Sequence, residues 1–170
     1  PYPHHDTERL WAFVLESLAG LNAERMIDAI SVTTHGATAA LVDGNGGLAL
    51  PVLDYEHTGP QEALADFARI RPRFEETGTP RLPGGLNAGL QLYWQSRRFP
   101  AAFARVRHIL MYAQYWTFRL TGIAASEVTS LGCHADLWEP RNGRFSSLVD
   151  GQGWRDLLPP VRKASDVLGP

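Results

Sequence analysis

The strongest constraint on the fold is a tight turn at residues 44–47 that separates two short apolar segments. Its sequence is Gly-Asn-Gly-Gly, and these residue types tolerate the positive φ angles that hairpin turns require. Residues 37–43 and 48–53, which flank the turn, are therefore predicted to be paired strands. The β-branched run at residues 30–34 predicts a further, buried strand just before them.

Apolar residues at helical spacing predict helices before and after these strands. Residues 6–21 form an amphipathic helix in which Asp6 is the expected N-cap. Further predicted elements are helices at 61–70, 86–99, 101–106 and 112–120, a short strand at 108–111, and a loop at 71–85. Because helices and strands are interleaved, the predicted fold class is α/β.

The composition excludes several classes of function. Hydrophobic residues make up 44% and charged residues 20% of the 170 residues, as in folded globular proteins. A net charge of −2 favours neither a nucleic-acid partner nor a membrane surface, and no apolar run is long enough for a transmembrane helix. The lone cysteine, Cys133, excludes an intrachain disulfide and indicates a reducing compartment, for which we expect the cytoplasm.

The first candidate site is the polar segment that follows the predicted strand at residues 30–34. Thr34, His35 and Gly36 lie where ligands commonly bind in α/β proteins, at the end of a strand. Gly36 permits a close approach to the backbone, and His35 carries a hydrogen-bonding group that titrates near neutral pH. The alternative is a strand that bends at a glycine beside a histidine satisfied by the protein itself.

A second candidate site follows the third predicted strand, where Tyr55 and Glu56 stand between Asp54 and His57. Neighbouring residues of a strand face opposite sides of a sheet, so these four side chains cannot converge on a metal ion, and no metal ligand is assigned. A sugar or anion pocket that uses Tyr55 and Glu56 fits better. The alternative is a solvated strand end.

Aromatic residues cluster in the predicted helices between residues 86 and 120. Trp94, Tyr112, Tyr115 and Trp116 stand at helical spacing, which is typical of a core, although a sugar-stacking surface or a homodimer interface would use the same residues. Gln114 lies off the face that Tyr112 and Trp116 share. It is therefore either a ligand contact or an exposed side chain.

The order of these segments resembles the FGGY family of carbohydrate kinases. The similar pieces are His5-Asp6-Thr7-Glu8 with Trp11, Thr33-Thr34-His35-Gly36-Ala37, Leu41-Val42-Asp43, Leu86-Asn87, Phe99-Pro100, Arg119-Leu120-Thr121-Gly122 and Leu158-Pro159-Pro160. The Thr-Thr-x-Gly piece is most similar to L-fuculose kinases and the His-Gly-Ala piece to xylulose kinases. The resemblance extends over almost the whole chain.

This resemblance implies an ATP-dependent transfer of a phosphoryl group to a sugar hydroxyl. It also implies ribonuclease-H-like, actin-like domains built on a mixed sheet with flanking helices, with ATP and Mg²⁺ in the cleft between two such domains. The sugar would bind mainly to the first domain. The residues that we expect to contact it are Thr34, His35, Gly36, Tyr55, Glu56 and Gln114.

The chain departs from the family pattern at several of these positions. Tyr55 stands where most members have tryptophan, Gln114 where many have aspartate, and Thr38 where fuculose-type kinases often have aspartate. We therefore expect the substrate to differ from fuculose.

Residues 1–170 are expected to form most of the N-terminal, sugar-binding domain of such a kinase. The chain begins at Pro1 instead of methionine, and the family's phosphate-binding Asp-x-Gly-Thr hairpin is expected upstream of it. The general-base aspartate and the nucleotide-binding domain are expected downstream of Pro170. No catalytic residue is thus assigned, and we expect this segment alone to be inactive.

A non-catalytic sugar sensor of the same fold is the alternative function, whereas a hydrolase that uses Cys133, Asp54 or Glu56 has little support.

Overall fold

The computed structural model describes residues 1–169, and its central element is a three-stranded antiparallel sheet in the order β2–β1–β3. The strands are β1 (Ala39–Asp43), β2 (Leu48–Leu50) and β3 (Val106–Met111). The predicted turn between β1 and β2 is confirmed: Gly46 has a φ of +83°, and the Asp43 N–H donates to the Gly47 carbonyl at 2.8 Å. The turn fixes which residues of the two strands face each other.

Helices precede, connect and follow these strands. They are α1 (Thr7–Glu24), α2 (Leu64–Ile70), α3 (Phe74–Thr77), α4 (Ala88–Arg98), α5 (Pro100–Phe103), α6 (Tyr112–Thr121), α7 (Val128–Gly132) and α8 (Ser147–Gln152). Two 3₁₀ helices cover Gly59–Ala63 and Arg155–Leu157, and β4 (Trp138–Glu139) pairs with β5 (Arg144–Phe145) in a separate hairpin. The α/β fold class is therefore confirmed.

Two predictions about strands are wrong. Residues 30–34 are extended without being a strand, and Ile30 is 51% exposed. A β-branched run favours extended backbone, but a strand also requires a neighbour for its backbone hydrogen bonds, and none of the strands within residues 1–169 pairs with this run. The sheet is also not mixed. Both of its ladders are antiparallel, because the turn at residues 44–47 reverses the chain and β3 runs opposite to β1.

The two faces of the sheet contribute to different apolar clusters, as the twofold alternation of side chains in a strand requires. Leu41 and Ile109 pack on one face with the buried side chains of α4. Val42 and Leu110 pack on the other with side chains of α6. The predicted aromatic group is divided between clusters, since Tyr112 and Tyr115 belong to the second, Trp116 packs against it, and Trp94 lies in a third with Tyr2 and Leu53. No helix in residues 1–169 combines the length and apolarity needed to cross a bilayer.

Helix α1 is attached mainly through its first two turns. Asp6 is its N-cap, as predicted, and accepts a hydrogen bond from the Arg9 N–H at 3.0 Å. The Arg119 guanidinium of α6 donates to both carboxylate oxygens of Glu8, at 2.6 and 3.2 Å, and lies over the Trp11 ring at 4.7 Å. Further along, apolar side chains remain in contact with solvent: Phe13 is 65% exposed.

A buried carboxylate, Asp136, ties the segment between α2 and α4 to the segment that follows α7. Its side chain is fully buried and accepts hydrogen bonds from Arg71 Nε at 2.7 Å, Thr77 Oγ1 at 2.9 Å and Asn87 Nδ2 at 2.8 Å. Asn87 is in turn the N-cap of α4 and accepts from the Leu90 N–H at 2.9 Å. The predicted loop at residues 71–85, which contains the short helix α3, is held in place by these contacts.

We expect Asp136→Ala to lower the free energy of unfolding by about 3–5 kcal/mol, because it leaves the partly buried Arg71 and two further donors without their shared acceptor. Urea denaturation followed by circular dichroism measures the change. The control is Asp66→Ala, which removes an exposed pair with Arg69 and should cost less than about 1 kcal/mol. Equal losses in the two variants would contradict a structural role for the Asp136 network.

The N-terminal segment is held against the strand end by Tyr2. Its hydroxyl donates to the Pro51 carbonyl at 2.8 Å and accepts from Gln95 Nε2 at 2.8 Å. Burial raises the pKa of Tyr2 from 10.0 to about 12, although the hydrogen bond from Gln95 opposes the shift.

This pKa predicts an alkaline loss of stability. Above pH 10.0 the unfolded chain releases the Tyr2 proton before the folded chain does, so the free energy of unfolding should fall between pH 10.0 and about 12. Tyr2→Phe should weaken that dependence and cost about 1 kcal/mol at neutral pH through the lost hydrogen bonds. Urea denaturation across the alkaline range tests this, and an unchanged alkaline slope in Tyr2→Phe would refute it.

Candidate functional site

A single cleft brings together most of the predicted site residues. It has a volume of about 1170 Å³ and is bordered by α1, the loop at residues 33–38, the start of α6 and the C-terminal segment. Thr34, His35, Gly36 and Gln114 line it, as do Thr38 and Tyr112. Residues far apart in sequence thus converge on one cleft, which has both polar and apolar walls and is large enough to hold a small molecule.

The two predicted residues that follow β2 take different positions. The Tyr55 ring lies beside the cleft, with its centroid 5.1 Å from that of His35. Glu56 is exposed and is not among the residues that line the cleft. The reason is local: the Asp54 side chain accepts from the Glu56 N–H at 2.9 Å, and this turn directs the chain away.

Contacts from both α4 and α6 fix the loop at residues 33–38. The buried Gln91 side chain of α4 donates to the Ala37 carbonyl at 2.6 Å, and the Tyr112 N–H at the start of α6 donates to the Thr38 carbonyl at 3.1 Å. Ala37 has a φ of +54°, which a residue with a Cβ adopts at some cost in strain. The surrounding contacts hold this conformation.

His35 is the central polar group of the cleft. Its Nε2 shares a hydrogen bond of 3.1 Å with Thr38 Oγ1, and its ring lies 4.9 Å from that of Tyr112. Burial lowers the pKa of His35, the nearby His5 lowers it further, and Asp54 opposes both. The imidazole is consequently neutral at pH 7, with one nitrogen able to donate a hydrogen bond and the other to accept one.

Gly36 is a glycine for a reason that the sequence does not show. A Cβ at this position would lie 3.0 Å from the Cys133 sulfur, so a side chain here would require the Cys133 thiol to move aside. The predicted close approach to the backbone is therefore made by the protein's own thiol. Sequence spacing did not place Cys133 beside this loop.

Two polar atoms near the cleft have no hydrogen-bond partner among residues 1–169. They are Oε1 of Gln114 and Nε2 of His5, and both are buried. A buried amide oxygen without a donor is unusual in a folded protein, so a ligand hydroxyl is a natural partner for Gln114. His5 was not predicted as a site residue, and its only sequence signal was its place in the family-like segment before α1.

The fold and the cleft define a class: an α/β domain with a cleft beside an antiparallel sheet. Comparison with known proteins narrows this class further. The chain is 40% identical to a carbohydrate kinase from Novosphingobium aromaticivorans, with a TM-score of 0.90 over 98% of this chain and 36% of that one. It is 26% identical over 156 residues to an L-fuculokinase from Salmonella typhi, which is 90% of this chain and 33% of that protein.

A further structure shows the fold at lower identity. The xylulose kinase of Lactobacillus acidophilus is 17% identical, with a TM-score of 0.81 over 99% of this chain and 37% of that one. No protein-family model matches the chain. The resemblance to FGGY carbohydrate kinases is nevertheless confirmed, and this chain spans about a third of the length of the relatives that it matches.

We expect Gly36→Ala to destabilise the protein by less than about 1 kcal/mol, because the new methyl group meets only the exposed Cys133 residue, whose side chain can rotate aside. Cys133→Ala in the same protein should restore most of the loss, because it removes the atom that the new methyl meets. Thermal denaturation of the four members of this double-mutant cycle measures the coupling. Gly132→Ala is the control, since nothing lies within 4 Å of a Cβ there. Additive effects at Gly36 and Cys133 would contradict the packing explanation.

Proposed function

We propose that this chain is the sugar-binding part of an ATP-dependent carbohydrate kinase. One observation carries the proposal: a chain 40% identical to a carbohydrate kinase brings its Thr-His-Gly loop and Gln114 together in one cleft. Relatives named as L-fuculokinase and xylulose kinase support the same reaction class. The reaction would transfer the terminal phosphoryl group of ATP to a sugar hydroxyl.

The proposal includes the domain arrangement that the family resemblance implies. Residues 1–170 would form most of an N-terminal domain of the ribonuclease-H-like, actin-like type. The phosphate-binding hairpin, the general base and the nucleotide-binding domain would belong to other parts of the protein, because this chain spans about a third of its relatives. No catalytic residue is assigned to residues 1–170.

Sugar recognition would use neutral hydrogen-bonding groups. His35 donates or accepts through Nδ1, since its Nε2 is engaged by Thr38, and Gln114 accepts through its unpartnered Oε1. The Thr34 hydroxyl lies on the same wall, and the Tyr55 and Tyr112 rings pack around His35. Such groups suit the hydroxyls of a neutral sugar and position it without taking part in phosphoryl transfer.

ATP and Mg²⁺ would bind mainly outside this chain. Within residues 1–169 no group of three or more His, Cys, Asp or Glu side chains is arranged to hold a metal ion. The glycine-rich turn at residues 44–47 connects two strands and is not followed by the helix of a phosphate-binding loop. We therefore assign neither the nucleotide nor the metal to any residue described here.

The compartment and the assembly remain predictions. A cytoplasmic location agrees with the use of ATP and with a single, unpaired cysteine. For a homodimer, the aromatic residues of α4 and the tyrosines of α6 are not available, because they pack inside the chain. Such a dimer would have to use other surfaces.

The direct test is sugar-dependent ADP release by the full-length protein across a panel of deoxy-sugars, pentuloses, polyols and aldonates. The proposal expects turnover with at least one of them and a matching rise in thermal stability on binding. Binding without ADP release would favour a sugar sensor. The absence of both binding and turnover across the panel would overturn the assignment.

With the sugar identified, His35→Ala should raise its KM about threefold to tenfold, as expected for one lost neutral hydrogen bond. The kcat should change less, because His35 would position the substrate and not exchange its protons. The control is His108→Ala on β3, which does not line the cleft. A normal KM in His35→Ala would remove His35 from the site.

A further inference from the structure

His5 is fixed beside the cleft by backbone pairing. Its N–H donates to the Val52 carbonyl at 2.9 Å, and the Asp54 N–H donates to the Pro3 carbonyl at 3.1 Å. His4 and Leu53 form the antiparallel bridge between these two bonds. Because neighbouring residues of an extended segment face opposite sides, this pairing decides that His5, and not His4, faces the His35 loop.

The His5 ring packs between two groups of the proposed sugar site. It stacks on Tyr112, with centroids 5.4 Å apart and the planes at 28°, and it lies 5.5 Å from His35. His35 and Tyr112 also touch each other, so the three rings form one cluster from three separate parts of the chain. Movement of any one ring would displace the others.

Packing alone explains the ring at this position but not the choice of histidine. Nε2 of His5 is buried and has no hydrogen-bond partner among residues 1–169. A phenyl ring would stack on Tyr112 equally well and would bury no unpaired nitrogen, so the histidine is unfavourable for folding compared with phenylalanine. The histidine beside the cleft therefore indicates a role for what phenylalanine lacks, which is a charge, in addition to the packing that the ring supplies.

We propose that His5 is a positioning residue of the sugar site, which holds the His35 imidazole against Tyr112 in the orientation that presents it to a sugar hydroxyl. The inference rests on the proposed function, because it concerns the same cleft. It adds a residue that contacts neither sugar nor nucleotide and acts through His35.

A second effect of His5 is electrostatic. A positive charge on His5 opposes a second positive charge on His35, which contributes to the lowered pKa of His35 after the larger effect of burial. The titratable groups whose rings pack against His35 are His5, Tyr55 and Tyr112, and the charge of Asp54 also acts on it. Asp54 acts in the opposite direction. His5 thus helps His35 remain neutral as the pH falls.

The experiment uses the full-length protein with two substitutions that separate these effects. His5→Ala removes the ring, so the KM for the sugar should rise about threefold to tenfold, the value of one lost aromatic contact, with little change in kcat. His5→Phe keeps the ring and removes the charge. It should leave the KM at neutral pH near that of the wild type and raise the pKa of His35, measured by NMR on histidine-labelled protein.

The acidic limb of the pH profile of kcat/KM should move to higher pH in His5→Phe, and a purely structural role would not produce this shift. His4→Ala is the matched control: His4 is exposed, and its ring bonds only to the Tyr2 carbonyl within its own segment. It should behave as the wild type. If His5→Ala fails to fold, the pKa of His35 and the pH profile of kcat/KM in His5→Phe test the role of His5.

Unchanged KM, pKa and pH profile in the His5 variants, together with normal wild-type turnover, would overturn the role of His5 alone. Equal effects in His4→Ala would overturn it as well, because they would reflect the segment and not the ring. Absence of any sugar-dependent turnover or binding in the wild type would instead overturn the proposed function, and the role of His5 with it.

Discussion

The buried carboxylate of Asp136 is the interaction on which the rest of the structure depends. It accepts hydrogen bonds from Arg71, Thr77 and Asn87, which otherwise belong to a segment with little regular structure. By holding Asn87 it fixes the start of α4, and α4 places Gln91 under the cleft loop. A charge buried far from the ligand thus determines the shape of the loop that would contact it.

The cleft is made by joining parts of the chain that are distant in sequence. The loop at residues 33–38 takes its shape from α4 and α6, and its histidine is packed by rings from the N-terminal segment, the end of β2 and α6. None of these parts would form the site alone. The buried Gln91 side chain holds the loop at Ala37, whose positive φ carries some strain.

Local chemistry explains which parts of the fold were predictable. The turn at residues 44–47 and the Asp6 cap of α1 are set by neighbouring residues and were predicted correctly. The strand at residues 30–34 was wrong because pairing depends on another strand. That Cys133 lies beside Gly36 could not be predicted, since tertiary packing brings the thiol there, and the role of Gly36 in a ligand site stays a prediction.

The candidate site likewise divides into residues that local sequence could indicate and residues that only tertiary packing reveals. The loop residues could be proposed because a motif carried them, and the structure lines the cleft with them. Glu56 was included because it stands next to Tyr55, and only the hydrogen bond to Asp54 shows that the chain turns away there. His5 could not be inferred from local pattern, because its contacts with His35 and Tyr112 exist only in the folded chain.

The uneven attachment of α1 has a consequence for access to the cleft. Its first turns are bound to α6 by Glu8 and Trp11, whereas its later turns border the cleft and keep apolar side chains in solvent. A helix fixed at one end opens locally at a lower free energy than the core beneath it. Amide hydrogens in the second half of α1 should therefore exchange faster than those of β1. Because this half of the helix borders the cleft, its local opening changes the width of the cleft.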